Sequence, residues 1–182
     1  MHDRRRRFEA EALPHLDAAY NLARWLSCSA SDADDIVQDA FLRAYRSFDR
    51  LRGADAKPWL LAIVRNCCWT AARRRSRWVV GLPADGWDET AGGSPEPLSG
   101  EDPLQAAIRA EEARSLDAAI AALPAGFREV LILREVEDLS YREIATVTGA
   151  PIGTVMSRLA RARLALKDRW RGQTGGPTDG LR

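Results

Sequence analysis

Alternating strand patterns are almost absent from this sequence, and so are the residue clusters on which most enzymes depend. Its 182 residues include 2 histidines and 3 cysteines. No spacing among them resembles a zinc site. No Gly-rich phosphate loop and no spaced Ser/His/Asp set can be traced. Catalytic residues, metal ligands and cofactors are therefore not expected, and the chain does not read as an enzyme. No window approaches the ~18 consecutive apolar residues of a membrane span, and the Arg4–Arg7 run is followed by no apolar stretch, so neither membrane insertion nor a secretory signal is expected. The odd thiol count (Cys28, Cys67, Cys68) and the adjacency of Cys67 and Cys68, a pair that rarely bridges, indicate buried free thiols in a reducing cytoplasm.

An excess of one charge sign is also missing: the formal net charge is only +1. The distribution says more. Residues 1–80 carry a balance of +5, residues 81–113 of −7, and residues 114–182 of +3. Two basic ends joined by an acidic middle indicate two modules and a linker. Gly81, Pro83, Gly86, Gly92, Gly93, Pro95, Pro97, Gly100 and Pro103 lie among the acids, so residues 81–103 read as that linker. The expected architecture is all-α: one small helical domain over 8–80, the flexible acidic linker over 81–103, a second helical domain over 104–171, and a frayed Gly-rich tail over 172–182.

Helix signals fill both modules. Leu13, Leu16, Tyr20 and Ala23 form a first apolar stripe, and Ser31 or Asp32 can cap a second helix running to about Phe48. Pro58 suits the start of a third. Pro124 and Gly126 separate Leu116–Leu123 from Phe127–Val136. From Leu139 to Leu159 the spacing is that of a helix-turn-helix. Ala145 supplies the small residue at the helix crossing, Gly149 the turn, and Val155 the branched plug. Such a unit places its second helix in the DNA major groove.

Three surfaces carry candidate chemistry. On the second helix, Ile36, Val37, Ala40, Phe41, Ala44 and Phe48 make one apolar stripe. Asp35, Gln38, Asp39 and Leu42 lie opposite it, either as a solvated face with one tolerated leucine or as a polar-rimmed docking patch. On the third helix, Leu60, Ile63, Val64, Cys67 and Ala71 point inward. Arg65, Asn66, Trp69 and Arg73 gather on the other side, with Arg74 and Arg75 close behind. Arginines neutralise phosphates, an amide can bond a base edge and an aromatic can stack on an unpaired base. The alternative is a solvated basic face with Trp69 packed on a neighbour. On the recognition helix, Ile152, Val155, Leu159, Ala162 and Leu166 share the inner face. Met156, Ser157, Ala160 and Arg161 are assigned to the groove, where Arg161 can pair with a guanine, and Arg158 and Arg163 are assigned to phosphates.

Asp34–Tyr45, Trp59–Asn66, Leu123-Pro124, Arg128-Glu129-Val130 and Gly153–Arg163 together resemble the extracytoplasmic-function group of bacterial RNA polymerase sigma factors. The likeness covers both modules and omits the linker. It implies a first domain that reads and melts the −10 promoter element and a second that reads the −35 element. It implies that Asp35, Gln38, Asp39 and Leu42 grip the clamp helices of the polymerase β′ subunit, that a loop near Asn66 holds a pocket for a flipped −10 base, and that an anti-sigma factor is a partner. In the family a basic residue often stands where Met156 is found. The linker is either a spacer or an acidic mimic of nucleic acid. Two other readings compete: a helix-turn-helix regulator that binds DNA unaided, and an adaptor whose basic ends bind an acidic protein.

Overall fold

The computed structural model describes residues 2–27, 29–51, 55–78 and 102–173. Cys28, the 81–101 part of the expected linker and the end of the tail lie outside them. Among the described residues there are eight α-helices and no strand. They are α1 (His2–Ala12), α2 (Leu16–Leu26), α3 (Ala30–Ser47), α4 (Ala56–Trp78), α5 (Pro103–Ala121), α6 (Ala125–Glu135), α7 (Tyr141–Thr148) and α8 (Ile152–Gln173). None is long and apolar enough to cross a membrane, and no described group of His, Cys, Asp and Glu is placed to hold a metal ion.

Helices α1–α4 form the N-terminal module. The Arg-rich start of the chain, given no fold by its sequence, is helical. Phe8 anchors it edge-on against Tyr45 and Phe48, with ring centroids 5.2 and 5.3 Å away, a favoured aromatic geometry. A 3₁₀ turn at Leu13–His15 then resets the helical phase before α2 begins. This corrects the start of the first stripe: Leu13 and Leu16 are 48% and 43% exposed, whereas Ala23 is buried and Tyr20 packs on the core as expected, joined by Ala18, Ala19, Leu22 and Trp25. The cap of α3 is also earlier than expected. It is Ser29, whose hydroxyl accepts from the Asp32 N–H at 3.2 Å. Helix α4 opens at Ala56, two residues before Pro58, and buries Leu60, Leu61, Val64, Cys67 and Cys68 against α2 and α3.

Helices α5–α8 form the C-terminal module. The helical structure begins within the expected linker, since Asp102 caps α5 and Pro103 is its first residue. The helix-turn-helix is built as its spacing requires. Ser140 accepts from the Glu143 N–H at 3.3 Å, and the Glu143 carboxylate accepts from the Ser140 N–H at 2.7 Å. This reciprocal box fixes the start of α7. Gly149 ends α7 in the left-handed region at φ 66°, and Val155 is fully buried as the plug. In α6 four successive residues, Val130 to Leu133, are buried. A helix apolar all round must be covered on every side. Helix α8 covers one side of α6 and α2 of the N-terminal module covers another, while α7 packs on α4. The two modules therefore share one continuous core.

Two predictions follow from this packing. No atom approaches within 4 Å of a Cβ built on Gly149, so Gly149→Ala meets no clash and its cost is the strain of a side chain on the left-handed backbone at φ 66°. It should lower unfolding free energy in urea by about 1 kcal/mol, and Gly149→Asn by less. The Cys68 thiol is pushed up from 9.0 to about 12, first by burial and second by the neighbouring Cys67. Above pH 9 the unfolded thiol ionises while the folded one keeps its proton, so the stability present at lower pH declines as pH rises. Between pH 8 and pH 10 the wild type should lose about 1.4 kcal/mol more than Cys68→Ala.

Candidate nucleic-acid interface

The expected core-binding face is a coherent patch. Asp35 and Gln38 are exposed on α3, and Leu42 is 53% exposed one turn further on. Asp39 is joined to Arg43 at 2.8 Å along the same helix, so it reaches solvent as half of an ion pair.

On α4 the expected strand-capturing residues share one face. Asn66, Arg73 and Arg74 are exposed, Trp69 is partly so, and the Arg65 guanidinium lies 5.8 Å from the centre of the Trp69 ring. The loop implied near Asn66 is not there. Helix α4 runs unbroken from Ala56 to Trp78, with Asn66 in its middle. The physical reason is local: from Pro58 to Arg75 no glycine or further proline interrupts the run, and Leu60, Leu61, Val64, Cys67 and Cys68 keep helical spacing against the core. Asn66 lines a cavity formed with α6 and α8 and not by a loop of its own. Arg75 is ion-paired with Asp32 of α3 and holds the end of α4 against that helix.

The recognition helix divides by face. Met156, Ser157, Ala160 and Arg161 are exposed on one side of α8, and Met156 is 52% so. Val155, Leu159 and Ala162 are buried on the other, whereas Ile152, expected inside, is exposed. Arg163 donates from Nε and Nη2 to Glu135 of α6, at 3.0 and 2.6 Å. That contact holds its guanidinium with both nitrogens on a carboxylate. Arg158 turns away from the groove-facing side and lines a cleft of about 540 Å³ with Arg65, Asn66, Trp69, Arg73 and Glu129.

That cleft lies where the two modules meet, and the residues that close it were not singled out by sequence. Glu129 of α6 is only 1% exposed, and its Oε1 accepts from Arg65 Nε at 2.5 Å and from Trp69 Nε1 at 3.4 Å. Glu137, in the turn after α6, is 6% exposed and pairs with Lys57 Nζ of α4 at 3.1 Å. Lys57 also donates to the Glu137 carbonyl at 2.8 Å, and Asn21 of α2 donates to the Glu137 carboxylate at 3.4 Å. Arg24 and Asp117 make a looser contact at 3.9 Å between α2 and α5. The sequence did carry one signal. Glu129 is an acid flanked by Phe127 and the Val130–Leu133 run, and a charge within an apolar stretch needs a partner from elsewhere.

Comparison with known proteins places both modules. Residues 13–78 match the family Sigma-70 region 2, and residues 113–166 match Sigma-70, region 4. The chain is 35% identical over 155 residues to the ECF RNA polymerase sigma factor SigE of Mycolicibacterium smegmatis, a match that covers 85% of this chain and 58% of that protein. It is 36% identical over 147 residues to the ECF RNA polymerase sigma-E factor of Escherichia coli strain K12, covering 77% and 74%. Among solved structures, the sigma factor RpoE in complex with the anti-sigma factor NepR from Bartonella quintana is similar at TM-score 0.72 and 29% identity, covering 90% of this chain and 96% of that one. CnrH in complex with the cytosolic domain of CnrY is similar at TM-score 0.60 and 25% identity.

Proposed function

This chain belongs to the extracytoplasmic-function group of RNA polymerase sigma factors, and on that premise we propose that it binds core RNA polymerase and directs promoter-specific transcription initiation. It is not itself an enzyme; the polymerase supplies the chemistry, in the cytoplasm. The observation that carries the reading is one chain with three separate surfaces. An acidic patch around an exposed leucine lies on α3, a cationic face with an aromatic and an amide lies on α4, and a helix-turn-helix ends in a basic helix. A regulator that binds DNA unaided needs only the last.

Each surface takes one role. Asp35, Gln38, Asp39 and Leu42 dock on the β′ clamp helices, with Leu42 as the desolvated centre and the polar groups as the rim. On α4, Arg65, Arg73, Arg74 and Arg75 face the backbone of the −10 region, Asn66 reads a base edge and Trp69 stacks on an unpaired base. Base unstacking costs a few kcal/mol, which such contacts offset. On α8, Met156, Ser157, Ala160 and Arg161 enter the major groove at the −35 element, while Arg158 and Arg163 approach phosphates. For the three arginines already tied to carboxylates within the chain, Arg65, Arg75 and Arg163, DNA must displace that partner. An anti-sigma factor is a further partner, by analogy with the RpoE–NepR complex.

The test is run-off transcription with core polymerase, followed by sequencing of the 5′ ends. The chain should redirect bare polymerase to a discrete set of start sites; failure to do so at any site sinks the reading. Combined Asp35→Ala and Leu42→Ala should weaken core binding about tenfold or more, the scale of a lost interface anchor. Arg161→Ala should leave core affinity unchanged and cut transcription from the cognate promoter about tenfold, as loss of one bidentate base contact predicts. Equal loss of both activities would show that Arg161 acts through folding.

A further inference from the structure

The outward side of the recognition helix is apolar over much of its length. Ile152, Met156, Ala160 and Leu164 stand four residues apart on α8 and all are exposed, the three larger ones at 42%, 52% and 61%. Residues at i and i+4 lie one above the other on a helix, so these four form one strip about 18 Å long. Single exposed apolar side chains are ordinary, whereas a continuous row marks a contact surface. The strip lies between the buried Val155, Leu159 and Ala162 on one side and Ser157 and Arg161 on the other. We propose that it reads thymine: Met156 and Ala160 pack on C5-methyl groups in the major groove of the −35 element, so that apolar contact selects sequence there, with Arg161 as the hydrogen-bonding reader. The inference rests on the reading of α8 as the −35 helix.

The hydrogen-bonding capacity of this face is small. The Ser157 hydroxyl donates to the Thr154 carbonyl at 3.0 Å, so its proton is spent within the helix. Met156, Ala160 and Leu164 carry no side-chain donor. Arg161 is the one charged donor among the four groove-facing residues, enough for one guanine. The thymine methyl is the apolar group that base pairs present in the major groove. Set against other base edges, the strip would desolvate donors and acceptors without replacing their bonds. Its surroundings also point to DNA and not to a protein. The strip is continuous with the groove-facing residues of the helix-turn-helix. Helix α8 carries five arginines and one lysine against a single acid, a charge that suits the phosphates along both walls of a groove.

The test changes the DNA before it changes the protein. The full-length chain with core polymerase is titrated with duplexes of a promoter mapped by run-off transcription. Deoxyuridine replaces each −35 thymidine in turn, on either strand, which removes the methyl and keeps every hydrogen bond of the pair. The wild type should lose about fourfold in affinity at one or more positions, the scale of one buried methyl group. At one of these positions Met156→Ala should bind thymine and uracil duplexes equally, while Arg161→Ala should still distinguish them. Wild-type binding indifferent to uracil at every position overturns the proposal, and so does a −35 element without thymine. Full discrimination retained by Met156→Ala at every position overturns the role of Met156. A fall in its affinity for core polymerase without DNA overturns the proposal as well, because the strip then faces protein. The two readings fail separately. A chain that yields no start site defeats the sigma-factor reading, and the same thymine–uracil comparison is then made on duplexes that the full-length chain selects from a random pool; a chain that selects none overturns this proposal too.

Discussion

A carboxylate placed in the middle of an apolar helix constrains everything around it. Glu129 sits on α6 beside four successive buried side chains, and an ion taken so far out of water costs several kcal/mol unless it is paired and hydrogen-bonded. Within its own module no described ion pair meets that need. The partner is Arg65, on a helix 64 residues earlier in the chain. The same burial that hides Glu129 covers the apolar faces α6 would otherwise expose to solvent. The placement of the two modules is thus tied to this contact, to the Lys57–Glu137 and Arg24–Asp117 pairs beside it, and to the hydrophobic surface around them.

That tie gives several cations a double duty. Arg65 and Lys57 meet carboxylates across the interface, while Arg75 and Arg163 meet them within a module, on Asp32 and Glu135. Much of the basic surface is matched by acids of the same chain, and an arriving polyanion competes with them for each guanidinium. The exposed pairs are weak competitors, because solvent screens them and each contributes about 1 kcal/mol or less. The buried pair is a strong one, since displacing it requires the modules to separate.

The sequence revealed features whose causes are local. The helix-turn-helix was legible because a small crossing residue, a turn glycine and a branched plug each depend on neighbours a few residues away. The inner and outer faces of α3 were legible from periodicity alone. Errors arose where a short irregularity shifts the phase. The Leu13–His15 turn rotates α2 enough to expose two leucines that a continuous wheel would bury. At the start of α3, three candidate oxygens stand close together in Ser29, Ser31 and Asp32, and only the chain path selects Ser29. The loop implied at Asn66 came from resemblance and not from these residues, whose own composition favours an unbroken helix. The closing contacts were hidden for a different reason. Partners such as Glu129 with Arg65 and Glu137 with Lys57 are far apart in sequence, and no periodicity joins them.

The energetics of such contacts also suit a chain that must change partners. A buried ion pair returns little net stability, because desolvation nearly cancels attraction. Apolar burial between α6 and α2 and between α7 and α4 therefore supplies most of the closing free energy, and the ion pairs supply its register. Register matters because a one-turn slip of α6 along α2 would bury Glu129 without Arg65. An interface held by an apolar seam and fixed by charge is specific yet modest in strength. A partner needs only a few kcal/mol of preference for the open or the closed form to move the population across most of its range. Placing charges in this interface keeps closure specific and still reversible.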